Sequence, residues 1–586
     1  MKPGCYRVRL LADLSRAFLL PSALLYTALR FSQVRLAPLL LAPTYTAFII
    51  SWTIARGLLA NWYHARRARE LGAQPIPCVV GRWPGNIDVL LRMIKAFKTS
   101  YVGDVYLGLF EEYQCTTLNT RILWTDSIIT MDQQHSKFVL STGFGHFWRG
   151  HKQKERMETF LGQGIFNRDD EMWKMHRNIA RPFFARERIS DFDIFERYTR
   201  CALKLAADST LPIDAQDLFS RLTLDAASEF LFGADLNTLG AALPIAGKTE
   251  MGPKGSATDD SWGAFAKAFE MSQQVITQRG RIGNMWPLFE MFKDRNAENA
   301  EVIRDWLDPL VRQVVDEKVQ AKESGMQPSP VADKTFLQHL ADSTDDYVLI
   351  RDQLLSVLLA ARDTTACLLT FVVYFMAIYP DVATRLRAEV LEHCGPRGFP
   401  SYENIKNMKY MRAVINEVLR LYPPVPLNVR ESRSEACVLP PSDTSSSQQL
   451  PYYMPGSTTI IYLPLLMQRN PSLWGPDADE FDPERWLDPA RLSRFVSNPT
   501  MFAPFSAGPR VCLGQNYAYN EASYVLVRLL QRFERFELAG ECQPAGSEPP
   551  KEWKERKGRQ RVEKIWPAAA LTLFVKGGLW VRFVPS

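Results

Sequence analysis

The chain has 586 residues, 46% of them hydrophobic and 23% charged, with a formal net charge of +6. That balance suits a globular protein with a sizeable core, and the mild charge, without a long basic stripe or a reader motif, speaks against nucleic-acid binding. Nine cysteines include no CxxC pair, which argues against a zinc site and against a disulfide framework.

Residues 36–54 form an apolar run of 19 residues without a charge, long enough to cross a bilayer as a helix. A shorter apolar stretch at 17–29 carries Pro21 and reads as a re-entrant or interfacial partner. Arg56 and the cluster His64, Arg66, Arg67 and Arg69 follow the longer run. They place the body on the cytosolic side by the positive-inside rule, with Arg30 and Arg35 weighing the other way. No small-residue cleavage site is obvious, so residues 1–71 read as a retained anchor region and not as a cleaved signal. Length alone allows up to about four domains. With no long linker after Pro75, residues 72–586 read as one folded unit.

Within the body, short β-like runs are expected at 101–110 and 121–131. From about 169 to 315 the pattern is mainly helical, and Trp173 and Arg177 stand four apart on one helix face. Residues 240–261, bearing Gly, Ser and Lys, read as a surface loop. Helical periodicity resumes at 352 and holds to about 422. Its stretch 354–379 is apolar apart from Arg362-Asp363-Thr364-Thr365. Arg and Asp at the centre of a membrane span would each cost about 2.5–3.5 kcal/mol, so a core helix of the folded body explains the run better.

Glu417 and Arg420 lie three apart on one helical face, a spacing common on surfaces. Leu421-Tyr422-Pro423-Pro424-Val425-Pro426 follows, and later Phe481-Asp482-Pro483-Glu484-Arg485-Trp486. Segments 440–451 and 542–564 are polar and irregular and read as solvated insertions. The chain closes on β-like runs at 570–574 and 579–583, expected to pair as a hairpin around Gly577-Gly578. The architecture expected is mainly α with small peripheral β-sheets.

The strongest signal is Phe505-Ser506-Ala507-Gly508-Pro509-Arg510-Val511-Cys512-Leu513-Gly514. Gly508 and Gly514 permit tight turns and close backbone approach, so that a flat prosthetic group can lie against the loop. A helix starting near Leu513 puts Cys512 at an N-terminus, where the dipole and backbone N–H groups favour thiolate. Arg510 offers a fork of donors to a carboxylate, and Phe505 screens the sulfur from water. The spacing Phe-x-x-Gly-x-Arg-x-Cys-x-Gly resembles the haem-ligand signature of the cytochrome P-450 superfamily.

The resemblance runs from Gly72 to Phe583 and is nearest to fungal microsomal members related to alkane and fatty-acid hydroxylases. It implies the cytochrome P-450 fold and haem b (iron protoporphyrin IX) bound through the Cys512 thiolate, which pushes electron density onto iron. By the same resemblance Glu417, Arg420 and Arg485 form a buried structural network, and Trp173 and Arg177 contact haem propionates. Ala360-Ala361-Arg362-Asp363-Thr364-Thr365 is similar to the family's distal motif, which makes Asp363 and Thr364 the proton relay. Ala361 stands where the family's glycine is usual, and its methyl narrows the oxygen pocket or reduces local helix opening. Alanine at 360 leaves no glutamate for an ester to haem. Candidate pocket residues are Leu358, Ala361, Thr365, Val425 and Val575.

The implied activity is insertion of one oxygen atom from dioxygen into a C–H bond of an apolar substrate, a long-chain alkane or fatty acid first. Oxidation of xenobiotics or secondary metabolites is the alternative within the class. Electrons would come from NADPH through a cytochrome P-450 reductase, with cytochrome b5 as an optional further donor, since no GxGxxG fingerprint is visible. The implied location is the endoplasmic reticulum membrane, with the lipid bilayer itself as a partner. A haem-thiolate isomerase or dehydratase would need neither dioxygen nor reductase, and the Asp363–Thr364 pair speaks against it.

Overall fold

Three N-terminal helices precede the body in the computed structural model, which describes residues 5–190, 192–258, 263–324, 334–442 and 450–586. They are α1 (Cys5–Leu14), α2 (Leu20–Phe31) and α3 (Pro38–Glu70), with a π-helical turn, Ser15–Leu19, joining the first two. Helix α3 contains the long apolar run. It is long and apolar enough to cross a membrane, and none of its most apolar stretch is buried. Sequence readings that fall on 259–261 and 443–449 lie outside the described residues.

The body is mainly helical with small sheets. A five-stranded sheet runs in the order Thr117–Asn119, Ser127–Thr130, Thr459–Tyr462, Asn428–Ser432 and Phe147–Trp148. Its register sets Ile128 against Ile460 and Val429 against Ile461. The segment expected to be β-like at 101–110 is instead largely helix α4 (Asp104–Tyr113). Tyr106, Leu109 and Phe110 are its buried positions, spaced by three and four, so the period is helical despite the aromatic composition. Of 121–131 only Ser127–Thr130 is strand, because Arg121, Leu123 and Trp124 adopt positive φ in a turn before it.

The helices that frame the interior are α5 (His151–Leu161), α6 (Asp170–Ala180), α7 (Ala215–Phe232) and α8 (Gly263–Ile282), followed by α9 (Tyr347–Ile378), α10 (Lys409–Leu421) and α11 (Gln515–Arg532). The Asp346 carboxylate caps α9 by accepting from the N–H groups of Val348 and Leu349. Pro380 ends it, forcing Tyr379 out of helical geometry (φ −127°, ψ 77°). Helix α9 is also apolar enough to span a membrane, but 78% of its most apolar window is buried, which makes it a core helix. It packs along α7 and α11, and this contact forms the largest apolar cluster.

Two loop readings and one strand pairing are corrected. Residues 240–258 do not lie wholly on the surface: Lys254, Ser256 and Ala257 are buried, because Lys254 finds an acidic partner inside. Segment 542–564 keeps Trp553, Arg559 and Glu563 inside, where Glu563 accepts hydrogen bonds from Tyr374 and Tyr422. The C-terminal runs do not pair with each other. Leu573–Val575 pairs with Pro567–Ala569, and Trp580–Pro585 pairs with Phe533–Leu538 and Ile213–Asp214. Gly577 and Gly578, at φ 79° and 86°, carry the chain from one sheet to the other. A Cβ on Gly578 would lie 2.1 Å from the Asp214 carboxylate, so only glycine fits there.

Candidate active site

The Cys512 loop closes on itself through the Cys512 N–H, which donates to the Phe505 carbonyl at 2.9 Å. Gly508 has φ 65°, and a Cβ there would stand 1.9 Å from the Leu140 carbonyl, so glycine is required. Gly514 departs from expectation. Its φ is −84°, and an added Cβ would meet only ordinary contacts, Phe184 at 3.5 Å and the Cys512 sulfur at 3.9 Å. Helix α11 starts one residue later, so Cys512 lies just ahead of a helix N-terminus. The sulfur is deep in the protein but faces an open cavity. Burial pushes its pKa up, and the Gly514 N–H and the Arg177 guanidinium oppose that push. The Phe505 ring packs 5.3 Å from that of Tyr519.

The cavity measures about 710 Å³ and reaches from Cys512 to the inner face of α9. Ala360, Ala361, Thr364 and Thr365 line it, as does Val425. Leu358 and Val575 do not. Leu358 is fully buried in an apolar cluster, while its neighbours Val357 and Leu359 reach the cavity. Val575 points into the core from its strand, so Phe574 and Lys576 on either side face the cavity.

Thr364 and Asp363 part company on this helix. The Thr364 hydroxyl donates to the Ala360 carbonyl at 2.6 Å on the cavity wall. Asp363 is not on that wall. Its carboxylate is held by Lys254 and by Arg362 at 2.9 Å. Burial alone would raise its pKa, but Lys254 and Arg362 outweigh it and keep Asp363 below the usual carboxylate range. Lys254 also donates to Gln273 and Thr572, each at 2.8 Å. The helix stays unbroken through Ala361. The Arg362 carbonyl accepts from Thr223 of α7 at 3.0 Å.

Cations also collect on the lining of the cavity. Arg149, Arg177, Arg430 and Arg510 all line it, and so does Trp173. Arg510 pairs with Asp169 at 2.8 Å and lies 4.4 Å above the Trp173 ring. Arg177 donates to the Val511 carbonyl at 2.9 Å. Arg149 and Arg430 share the Asn428 side-chain oxygen, at 2.9 and 3.3 Å, and the Nε of each lacks a partner among the described residues. Burial, then the like charges of Arg430 and Arg510, push the Arg149 pKa well down. A wall this rich in guanidinium groups and orphaned donors fits two carboxylates, as haem propionates would provide. Sequence reasoning missed Arg149 and Arg430. Arg430 lies four residues after Pro426 on a strand facing the cavity, a faint signal, and nothing local marks Arg149.

Glu417, Arg420 and Arg485 come together in the interior. Glu417 accepts from Arg420 at 2.8 and 2.9 Å, from Arg485 at 3.4 Å and from the Trp486 indole at 3.0 Å. Gln468 ties this group to the cysteine loop: its Nε2 donates to the Leu419 carbonyl and its Oε1 accepts from the Ala503 N–H.

The family model described as cytochrome P-450 matches residues 90–553. Cytochrome P-450 52-E3 of Starmerella bombicola is 34% identical over 478 residues, covering 81% of this chain and 88% of its own. Cytochrome P-450 monooxygenase himC of Aspergillus japonicus is 36% identical over 499 residues, and cytochrome P-450 monooxygenase g430 of a Fusarium species 33% over 501. Each of these two alignments covers 84% of both chains. A cysteine loop facing a cavity under α9, and matches along most of the sequence, lead to one assignment: the chain belongs to the cytochrome P-450 family and is an enzyme of its monooxygenase class.

Proposed function

We propose that this enzyme inserts one atom of dioxygen into an unactivated C–H bond of a long-chain alkane or fatty acid. Electrons come from NADPH through a flavoprotein reductase, with cytochrome b5 as a further donor. The enzyme works in the endoplasmic reticulum membrane with its body on the cytosolic side, where substrates that partition into lipid reach it. The observation that carries the reading is that Cys512 and Thr364 line one largely apolar cavity.

Haem supplies the one-electron and dioxygen chemistry when bound. Cys512 holds its iron. Arg149, Arg177, Arg430, Arg510 and Trp173 hold its propionates, and Phe505 with the Gly508 turn shapes the sulfur's surroundings. Thr364 presents a hydroxyl that orders a water and passes a proton at the cavity wall. Asp363, ionised behind that wall and held by the buried Lys254 and Arg362, is assigned the inner end of the relay, one residue from Thr364 on the same helix.

Arg281 favours acids over alkanes. It lines the same cavity, stacks 4.9 Å from Phe97 and donates to the Ala569 carbonyl at 2.8 Å. Among the described residues it forms no ion pair, and burial holds its pKa below the ordinary value. A half-buried cation in an apolar cavity is satisfied by a ligand with an anionic end. Arg281→Gln is expected to weaken binding of a long-chain fatty acid about tenfold, the worth of one charge-assisted hydrogen bond. Binding of the alkane of equal length should hardly change. Spectral titration of both ligands checks this, and equal losses for the two would refute the assignment.

The test of the function is a reduced carbon-monoxide difference spectrum, then turnover of alkanes and fatty acids with reductase and NADPH. Cys512→Ser should abolish both the long-wavelength thiolate band and turnover. Product formed without NADPH oxidation would instead mark an isomerase or dehydratase.

A further inference from the structure

We infer that residues 5–70 form a helical hairpin with both ends on one side of the membrane, and that α1 docks on the catalytic body over the roof of the cavity. The inference deepens the membrane placement proposed above. Three residues of α1 carry the docking. The Tyr6 ring lies 4.5 Å from Trp286, and its hydroxyl donates to the Glu290 carbonyl at 3.1 Å. Arg9 pairs with Glu155 at 2.7 Å, and the Glu155 side chain is only 4% exposed. Tyr6 and Leu10 are each 3% exposed. Glu155 belongs to α5, whose Gln153, Arg156 and Met157 line the cavity. Trp286 follows α8, whose Gln278 and Arg281 line it as well. Helix α1 therefore bridges two elements of the cavity roof.

The arms have the right reach. At 1.5 Å per residue, the helical path from Leu10 to Phe31 covers roughly 32 Å. The path back along α3, from Pro38 to Asn61, covers roughly 35 Å, and Asn61 meets Arg121 of the body at 2.7 Å. Helices α2 and α3 lie against each other, with residues 32–37 as the tip. The α3 path carries an uncharged run, residues 36–54, that suits a hydrocarbon core of about 30 Å, whereas the first path is charged at Asp13 and Arg16 and is apolar only beyond them.

Charge follows the same plan. Arg30 and Arg35 stand at the tip, while Arg7, Arg9 and Arg16 on one arm and Arg56, Arg66, Arg67 and Arg69 on the other stand at the body end. Seven arginines against two give the sign that the positive-inside rule requires of a double-pass hairpin. The shorter apolar arm, about 21 Å from Arg16 to Arg30, reaches both interfaces because arginine side chains extend along the helix toward water. A single crossing would instead strand α1 across the bilayer from Trp286. It would also leave the buried Glu155 carboxylate without Arg9, a costly loss.

The test uses the full-length holoprotein in sealed microsomes, with an Asn-x-Ser/Thr acceptor and an epitope placed ahead of residue 1 and a second epitope at the C-terminus. The acceptor should stay unmodified, and added protease should remove both epitopes from intact vesicles. Epitopes that respond oppositely overturn the hairpin, as does glycosylation of the acceptor while the C-terminal epitope is removed. Two protected epitopes overturn only the cytosolic placement of the body. For the docking, Arg9→Glu should speed cleavage within residues 5–16 about tenfold, because proteolysis follows the undocked population. Arg9→Glu with Glu155→Arg should restore the original rate. Equal cleavage of wild type and Arg9→Glu overturns the docking.

Discussion

Glu521 is 1% exposed on α11, the helix that follows Cys512. Neither carboxyl oxygen makes a hydrogen bond of sound geometry among the described residues, although Thr365 approaches the group. Burial pushes its pKa up to about 8 from an ordinary 4.5, so the side chain is a neutral acid at pH 7. A carboxyl group with a raised folded-state pKa contributes stability that is complete below its ordinary value. That stability drains away as pH climbs toward 8. Glu521→Gln keeps the shape and removes the titration. Between pH 5 and pH 9 wild type should lose on the order of 4 kcal/mol relative to the variant, since each pKa unit is worth about 1.4 kcal/mol. Urea titrations of both holoproteins at the two pH values measure it, and a constant difference would mean Glu521 is not held neutral. Cys512 was legible at this scale because glycine, arginine and phenylalanine mark its loop within ten residues. Glu521 and Arg149 carry no such local mark, and their burial comes from segments distant in the chain.

The elements show the same division between local and remote causes. Helix α9 announced itself as a long apolar run, and its two mid-run charges argued correctly for a core helix. The stretch at 101–110 misled because its apolar residues are dense enough to hide a spacing of three and four. The loop ahead of α8 misled for another reason. Its composition is that of a surface loop, yet Lys254 reaches Asp363, 109 residues further on, and no local pattern records that pairing. Lys254 and Asp363 side chains are only 7% and 2% exposed. Removing one partner of such a pair leaves an uncompensated charge, at a cost of about 3–5 kcal/mol. Lys254→Met is therefore expected to destabilise the holoprotein by that order. It should also raise the Asp363 pKa, because the charge that opposes its burial is gone. The depressed pKa of Asp363 in wild type adds stability above the ordinary carboxylate value that is lost as pH falls through the folded one. The cost of Lys254→Met should thus shrink toward acid pH. A cost that is flat from pH 7 to pH 4 in urea titrations would rule out this pairing as the source of the loop's burial.

Across the molecule, Glu417 connects regions that meet only after folding. It binds Arg420 on its own helix, Arg485 and Trp486 nearly seventy residues on, and the Asp482 N–H at 3.0 Å. Arg420 extends the network to the carbonyls of Gln468, Ala478 and Glu480. Gln468 passes it to Ala503, two residues before Phe505 in the loop that carries Cys512. Burial alone would raise the Glu417 pKa, but Arg420 and Arg485 bring it below the carboxylate norm, so the group stays ionised. Its contribution to stability is present above the ordinary carboxylate pKa and is lost as pH falls through the depressed folded value. Glu417→Gln keeps the volume while leaving two buried guanidinium groups short of a counter-charge. A loss of about 3–5 kcal/mol follows, as for other buried pairs broken on one side. The strain falls on the Gln468–Ala503 link, so the reduced carbon-monoxide spectrum of the variant should lose part of its long-wavelength thiolate band at urea concentrations where wild type keeps all of it. Following that band and the far-ultraviolet circular dichroism in one titration separates the two effects. If the band and the helices were lost together, at the wild-type midpoint, the network would have no hold on the cysteine loop.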